Sequence, residues 1–241
     1  MRVLRVVLVV GVLLGGLFVG LDRWAAGYAE NRMAERIQAH EGGLPGVRVD
    51  IQGFPFLTQA LAHDLDEVDL KVSDLGVTTP EGGRTSLSDL RIAFHGVKLN
   101  GDYSGGTAKT AEGSALLTYH ALSQAAQPGV TLAYGGAPGK VKVTATFDFL
   151  GRKVTRSVVS TVSLLDAKDA KDGKGGKTVR VRADEVPGEG LPGIEAAVRK
   201  FTDFDRQLDS RLTSGIQLTA LTSDEAGIHL TLGGTNLALA G

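Results

Sequence analysis

The sequence predicts an α+β fold: a long, strongly twisted antiparallel sheet with an N-terminal helix and two smaller helices. Three observations predict it. Near Pro45 the spacing of apolar residues changes from a helical period of about 3.6 to the strand period of 2. From Val47 to Leu239 one apolar run after another alternates with polar residues, so each strand has one dry face and one wet face. Such strands build an antiparallel sheet covered on one side only. No stretch is rich enough in linker composition to divide residues 22–241, which are read as one unit.

The first element is the segment 1–21. Arg2 and Arg5 precede Val6–Leu21, a run of about 16 residues without a charged side chain, or about 24 Å as a helix. That length lies between a signal-peptide core and a membrane span. The preceding arginines orient the N-terminus toward the cytoplasm and predict delivery of the remainder across the plasma membrane. Ala25-Ala26-Gly27 is the best cleavage candidate, but Asp22, Arg23 and Trp24 crowd it. Trp24 and Tyr28 suit a membrane-interface belt, which favours a retained anchor over a cleaved signal segment.

A helix is predicted from Asp22 to about His40, where Ala25, Ala29, Met33 and Ile37 recur every four residues. Gly42, Gly43 and Pro45 end it. Val47, Val49 and Ile51 then mark the first strand. Leu65–Val72 and Leu87–Leu99 follow, the latter slipping phase at Gly96 and predicting a bulge there. Ser114 is a candidate cap for a helix through Ala126, with Leu116, Leu117, His120 and Leu122 on one side. Val141–Phe149, Val154–Leu165 and Val179–Ala183 read as strands. Pro192 opens a candidate helix carrying Ile194, Ala197, Val198 and Phe201. Ile216–Leu221 and Ile228–Leu239 pair across Asp224–Gly227. Residues 166–177, rich in Lys, Asp and Gly, are too polar to pack and predict a solvated, flexible loop. Its end, Gly176-Lys177-Thr178, lacks the glycine spacing of a phosphate-binding loop.

Composition excludes several classes of function. A net charge of −1 gives no basic face for nucleic acid. The absence of cysteine excludes disulfides, thiolate metal sites and a cysteine nucleophile. The histidines His40, His63, His95, His120 and His229 have no metal-ligand spacing, and no Gly-x-Ser-x-Gly elbow occurs. Asp64, Asp66, Glu67 and Asp69 have strand spacing without the glycine-kinked loop of a calcium site, so they read as a wet face. No catalytic, metal or cofactor site is predicted. With aromatics at 5% and abundant Leu, Val and Ala, the interior is aliphatic, as a core or a site for acyl chains would be.

The most distinctive local stretch is Gly53-Phe54-Pro55-Phe56-Leu57-Thr58. Proline breaks the strand ladder, so the bland reading is a structural corner whose phenylalanines plug the end of the core. The functional reading is an apolar lip on a lipid-binding trough. A polar residue at Phe56 separates the two: under the second it abolishes lipid retention and leaves unfolding cooperative.

Together Val47–Gln59, Leu65–Leu70, Gly215–Thr219 and Gly227–Leu237 carry a resemblance. The chain resembles a family of actinobacterial envelope proteins, formerly of unknown function, that includes the mycobacterial lipomannan elongation maintenance protein. The resemblance implies an extracytoplasmic phospholipid-binding protein supporting envelope glycolipid assembly, without catalytic residues or cofactor. It also implies a tubular-lipid-binding-like fold with a curved sheet around a long helix, and a lipid contact at Phe54, Pro55, Phe56 and Leu57. A 16-carbon tail buried in such a groove offers on the order of 12 kcal/mol gross, reduced by ordering and desolvation. The implied partners are a phospholipid or other acyl-chain lipid and the plasma membrane. Two readings compete with lipid binding: a non-enzymatic envelope scaffold binding a protein through a sheet edge or the Phe54–Leu57 corner, and a hydrolase acting on envelope glycolipids.

Overall fold

The computed structural model describes residues 2–40, 46–78, 84–126, 128–149, 152–166, 177–185, 204–208 and 215–240. One helix, α1 (Arg2–His40), joins the apolar run and the amphipathic stretch after it without a break. By length and composition it can cross a membrane. Between Leu8 and Leu21 its side chains are exposed all round. Past Asp22 it becomes one-sided, as its spacing predicts: Ala25, Ala26, Ala29, Met33 and Ile37 pack on a sheet.

After α1 come β1 (Val47–Gln52), α2 (Phe56–Ala62), β2 (Asp64–Thr78), β3 (Arg84–Leu99), β4 (Gly105–Thr118) and α3 (Tyr119–Ala125). Then follow β5 (Val130–Tyr134), β6 (Lys140–Phe149), β7 (Arg152–Asp166), β8 (Lys177–Ala183), β9 (Phe204–Leu208), β10 (Ile216–Ser223) and β11 (Gly227–Ala240). The strands form two antiparallel sheets, ordered β1-β2-β3-β4-β11-β10 and β5-β6-β7-β8-β9. The α+β class stands, with the strands divided between two sheets rather than lying in one. Alternation reports which face of a strand is dry and not which sheet the strand joins.

On the six-stranded sheet, register brings the apolar residues into rows such as Ile51–Val68–Phe94–Ala111 and Leu65–Val97–Ala108–Leu237. Burying each Val, Leu, Ile or Phe side chain is worth about 1.5–3 kcal/mol. Between those two rows the sheet is creased. Two consecutive residues point to the wet side in each of four neighbouring strands, and pairing skips the row Asp66–Gly96–Lys109–Asn236. Gly96 (φ 59°) and Asn236 (φ 53°) take the left-handed conformation there. The phase slip predicted at Gly96 is real, but register is the same on both sides of it because all four strands slip together. A true register shift lies earlier, between Ser88 and Arg91.

The same apolar face is covered twice. At one end lie α1 and α2, packed over Val49, Leu65, Val68 and Phe94. At the other, α3 carries the chain across to the second sheet, whose Val141, Val143, Val162 and Val181 cluster with Ile228. Two hydrogen bonds tie this end together: Ser223 Oγ donates to the Lys140 carbonyl (3.0 Å) and Tyr119 Oη to the Asp224 carbonyl (2.8 Å).

Several elements depart from expectation. The helix predicted from Ser114 starts at Tyr119, because residues up to Thr118 pair with β3 and β11. Thr118 is the cap, its hydroxyl accepting from the Ala121 amide (3.2 Å). Thr118→Ala is expected to lower stability by about 1 kcal/mol in denaturant titration, the usual loss for a helix cap. β4, β5, β9 and the helix α2 are not among the predicted elements. The candidate helix at Pro192 and most of the 166–177 loop lie outside the described residues.

Candidate functional site

Beyond the reach of α1 the apolar face continues under the second sheet without being filled, leaving a cavity of about 380 Å³. From the first sheet it is lined by Leu75, Leu87, Leu90, Ile92, Ala115, Leu117, Ile216, Leu218, Leu221, Ile228, Leu230 and Leu232. Leu122 of α3 and Leu132, Val141, Val162, Val179 and Val181 of the second sheet close the opposite side. Every described lining residue is aliphatic. A cavity of this volume falls in the range of small-molecule sites, and without polar partners it offers water little to bond. None of the described lining side chains carries a group that transfers a proton, attacks a carbonyl or holds a metal, and what they can accept is a hydrocarbon chain. Ser160, paired in register with the lining residue Val141, is buried, and its hydroxyl has no partner among the described residues.

Ionisable groups near this end serve the framework. Lys140 bonds Asp184 (2.8 Å) across the β6–β7–β8 edge, and Thr161 donates to the same carboxylate. These two donors hold the Asp184 carboxyl below the usual carboxylate range. In the β10–β11 turn, the Ala226 amide, together with His229 and the Gly227 amide, lowers Asp224 despite partial desolvation. Among the described residues no group of three or more His, Asp or Glu side chains could hold a metal. Of the acidic cluster, Asp64 and Asp66 are exposed and Asp69 accepts from Gln52 (3.0 Å).

The Phe54–Leu57 corner lies elsewhere: none of its four residues lines the cavity. Gly53 (φ 95°) lets the chain turn out of β1, and Pro55, after a cis peptide bond, occupies the N-cap position of α2. Phe56 is buried (8% exposed) in the core beneath α1, and Leu57 packs beside that core. Phe54 points outward (57% exposed), its ring edge-to-face with Phe18 at 6.5 Å between ring centres and the Arg23 guanidinium 5.6 Å above it. Asp22, fully buried, accepts from the Leu57 amide (2.8 Å) and pairs with Arg23 (2.8 Å), which also donates to the Gly53 carbonyl (3.0 Å). Trp24 (71% exposed) and Tyr28 (57%) stack on each other at 6.1 Å on the open side of α1. Sequence reasoning found the corner and expected an aliphatic groove between helix and sheet. It did not find a void between two sheets or the residues lining it, because a Leu or Val lining a void has the same spacing as one filling a core.

The family model for LmeA-like phospholipid-binding proteins matches residues 20–233. The chain belongs to this family. Neither a curated protein nor a solved structure matches it. The span shared with the LmeA-like phospholipid-binding family contains the corner and every residue lining the cavity, and it leaves out most of the apolar N-terminal run. Membership supports phospholipid binding, and an aliphatic void between two sheets is a place where the apolar part of a phospholipid fits.

Proposed function

We propose that this protein is a non-enzymatic, extracytoplasmic phospholipid-binding protein, held at the plasma membrane by α1 and serving assembly or maintenance of the cell envelope. The observation that carries the reading is the wholly aliphatic cavity between the sheets. It suits acyl chains and leaves the charged headgroup to solvent, where its hydration is kept. The apolar helix with arginines before it supports the anchor and its orientation. Lipid transfer is compatible with such a site, since an acyl chain held only by dispersion and desolvation has no covalent or ionic tie to break.

The test is photo-crosslinking of the full chain reconstituted in phospholipid vesicles that contain a phospholipid with a photoactivatable group on its acyl chain. Crosslinked peptides are expected from the cavity, at Leu117, Leu132, Val162 and Leu230, in addition to those from Leu8–Leu21. Labelling confined to α1 would sink the reading.

A further inference from the structure

We infer that the corner around Phe54 is a membrane-docking surface: Phe54 enters the bilayer beside Phe18, and the folded body is held in one fixed attitude to the lipid. The inference rests on reading α1 as a retained anchor.

Depth along α1 supplies the first argument. Phe18 precedes Trp24 by about 9 Å of helix and lies within the apolar run that ends at Leu21. With the amphipathic rings of Trp24 and Tyr28 at headgroup level, Phe18 is inside the hydrocarbon boundary. The Phe54 ring packs against Phe18 edge-on at 6.5 Å, so it shares that depth.

The second argument is the distribution of exposed apolar side chains. Outside α1, the large hydrophobic residues exposed among the described residues are Phe54, Leu61, Tyr103 and Val159. Phe54 is the one that adjoins the apolar run of α1, against Phe18. Leu61 and Tyr103 lie toward the other end of α2, where Tyr103 stacks on His63 at 4.6 Å and donates to the Ala60 carbonyl (3.2 Å). An exposed aromatic ring continuous with the apolar face of a membrane-crossing helix is what a lipid surface covers.

The third is the joint itself. A charge at the edge of the hydrocarbon is costly unless paired, and the charges here are paired. Asp22 is enclosed between α1 and the corner, bonded to the Leu57 amide and to Arg23, and Arg23 in turn binds the Gly53 carbonyl and covers the Phe54 ring. These bonds join helix to corner, so insertion of the one carries the other to a set depth.

The chain has one tryptophan, Trp24, which makes depth measurable. The full-length protein is reconstituted in phosphatidylcholine–phosphatidylglycerol vesicles containing phospholipid brominated on its acyl chains. Three reporters are compared: the wild type, Trp24→Phe/Phe54→Trp, and Trp24→Phe/Val159→Trp as a control on the second sheet. Acyl-chain bromines are expected to quench the indole at position 54 at least twofold and more strongly than Trp24, and to leave position 159 unquenched. Quenching of Trp24 without position 54 overturns docking and leaves the anchor standing. Equal quenching at positions 54 and 159 means that the body lies on lipid without orientation, which also overturns it. If none of the three is quenched, α1 is not embedded, and both the anchor and the docking surface fail.

Discussion

Phe56→Ser is expected to cost about 3–5 kcal/mol of stability, the loss typical of deleting a buried aromatic ring, with the unpaired serine hydroxyl adding to it. Thermal unfolding followed by far-ultraviolet circular dichroism checks this. Phe56 is packed in the core beneath α1 and is not among the residues that line the cavity. The molecules that remain folded are therefore expected to take up phospholipid as the wild type does. The sequence expectation for an apolar lip is lost lipid with unfolding left cooperative; the burial of Phe56 in the core favours the structural corner instead. Lost photo-crosslinking in a variant of undiminished stability would restore the lip.

The second large effect comes from two alanines on one face of one strand. Ala108 and Ala115 both lie on β4 and both are buried. Ala108 pairs with Val97 and Leu237 where the interior is filled, whereas Ala115 borders the cavity. Ala108→Phe has no space for its ring and is expected to destabilise by about 1–3 kcal/mol or more, as overpacking does. Ala115→Phe has a void to fill. It is expected to unfold within a few degrees of the wild type while acyl-chain crosslinking falls at least tenfold. Undiminished crosslinking in Ala115→Phe would show that lipid does not use the space between the sheets.

Legibility followed side-chain size. Val47–Gln52 was plain because large β-branched residues alternate with Arg48, Asp50 and Gln52, and its burial alternates accordingly. β4 was illegible because its inward positions are Gly106, Ala108, Ala111, Gly113 and Ala115, too small to mark a period. Gly106 is needed for space: a Cβ there would meet the Lys98 carbonyl at 2.3 Å. At the end of that strand Leu116, Leu117, His120 and Leu122 straddle the change from strand to helix and imitate a longer helix. The corner was legible as a local oddity. What it touches was not, since Phe18 and Asp22 lie more than thirty residues earlier in the chain. The division into two sheets was hidden for a different reason: pairing partners are a property of the folded chain, and alternation is a property of each strand alone.

The crease across β2, β3, β4 and β11 limits how this chain can change its length. A residue removed from or added to one strand reverses the facing of everything beyond it. Four strands reverse along one line here and stay in register, so an indel in any one of them would put that strand's large residues, Leu65 or Val97 or Leu237, on the wet side while its neighbours kept theirs inside. Compensation would require matching changes in three other strands far apart in sequence. Between Leu65 and Val68, Phe94 and Val97, Ala108 and Ala111, and Gly234 and Leu237, length should be the last thing that varies, and growth of the protein is confined to its connections.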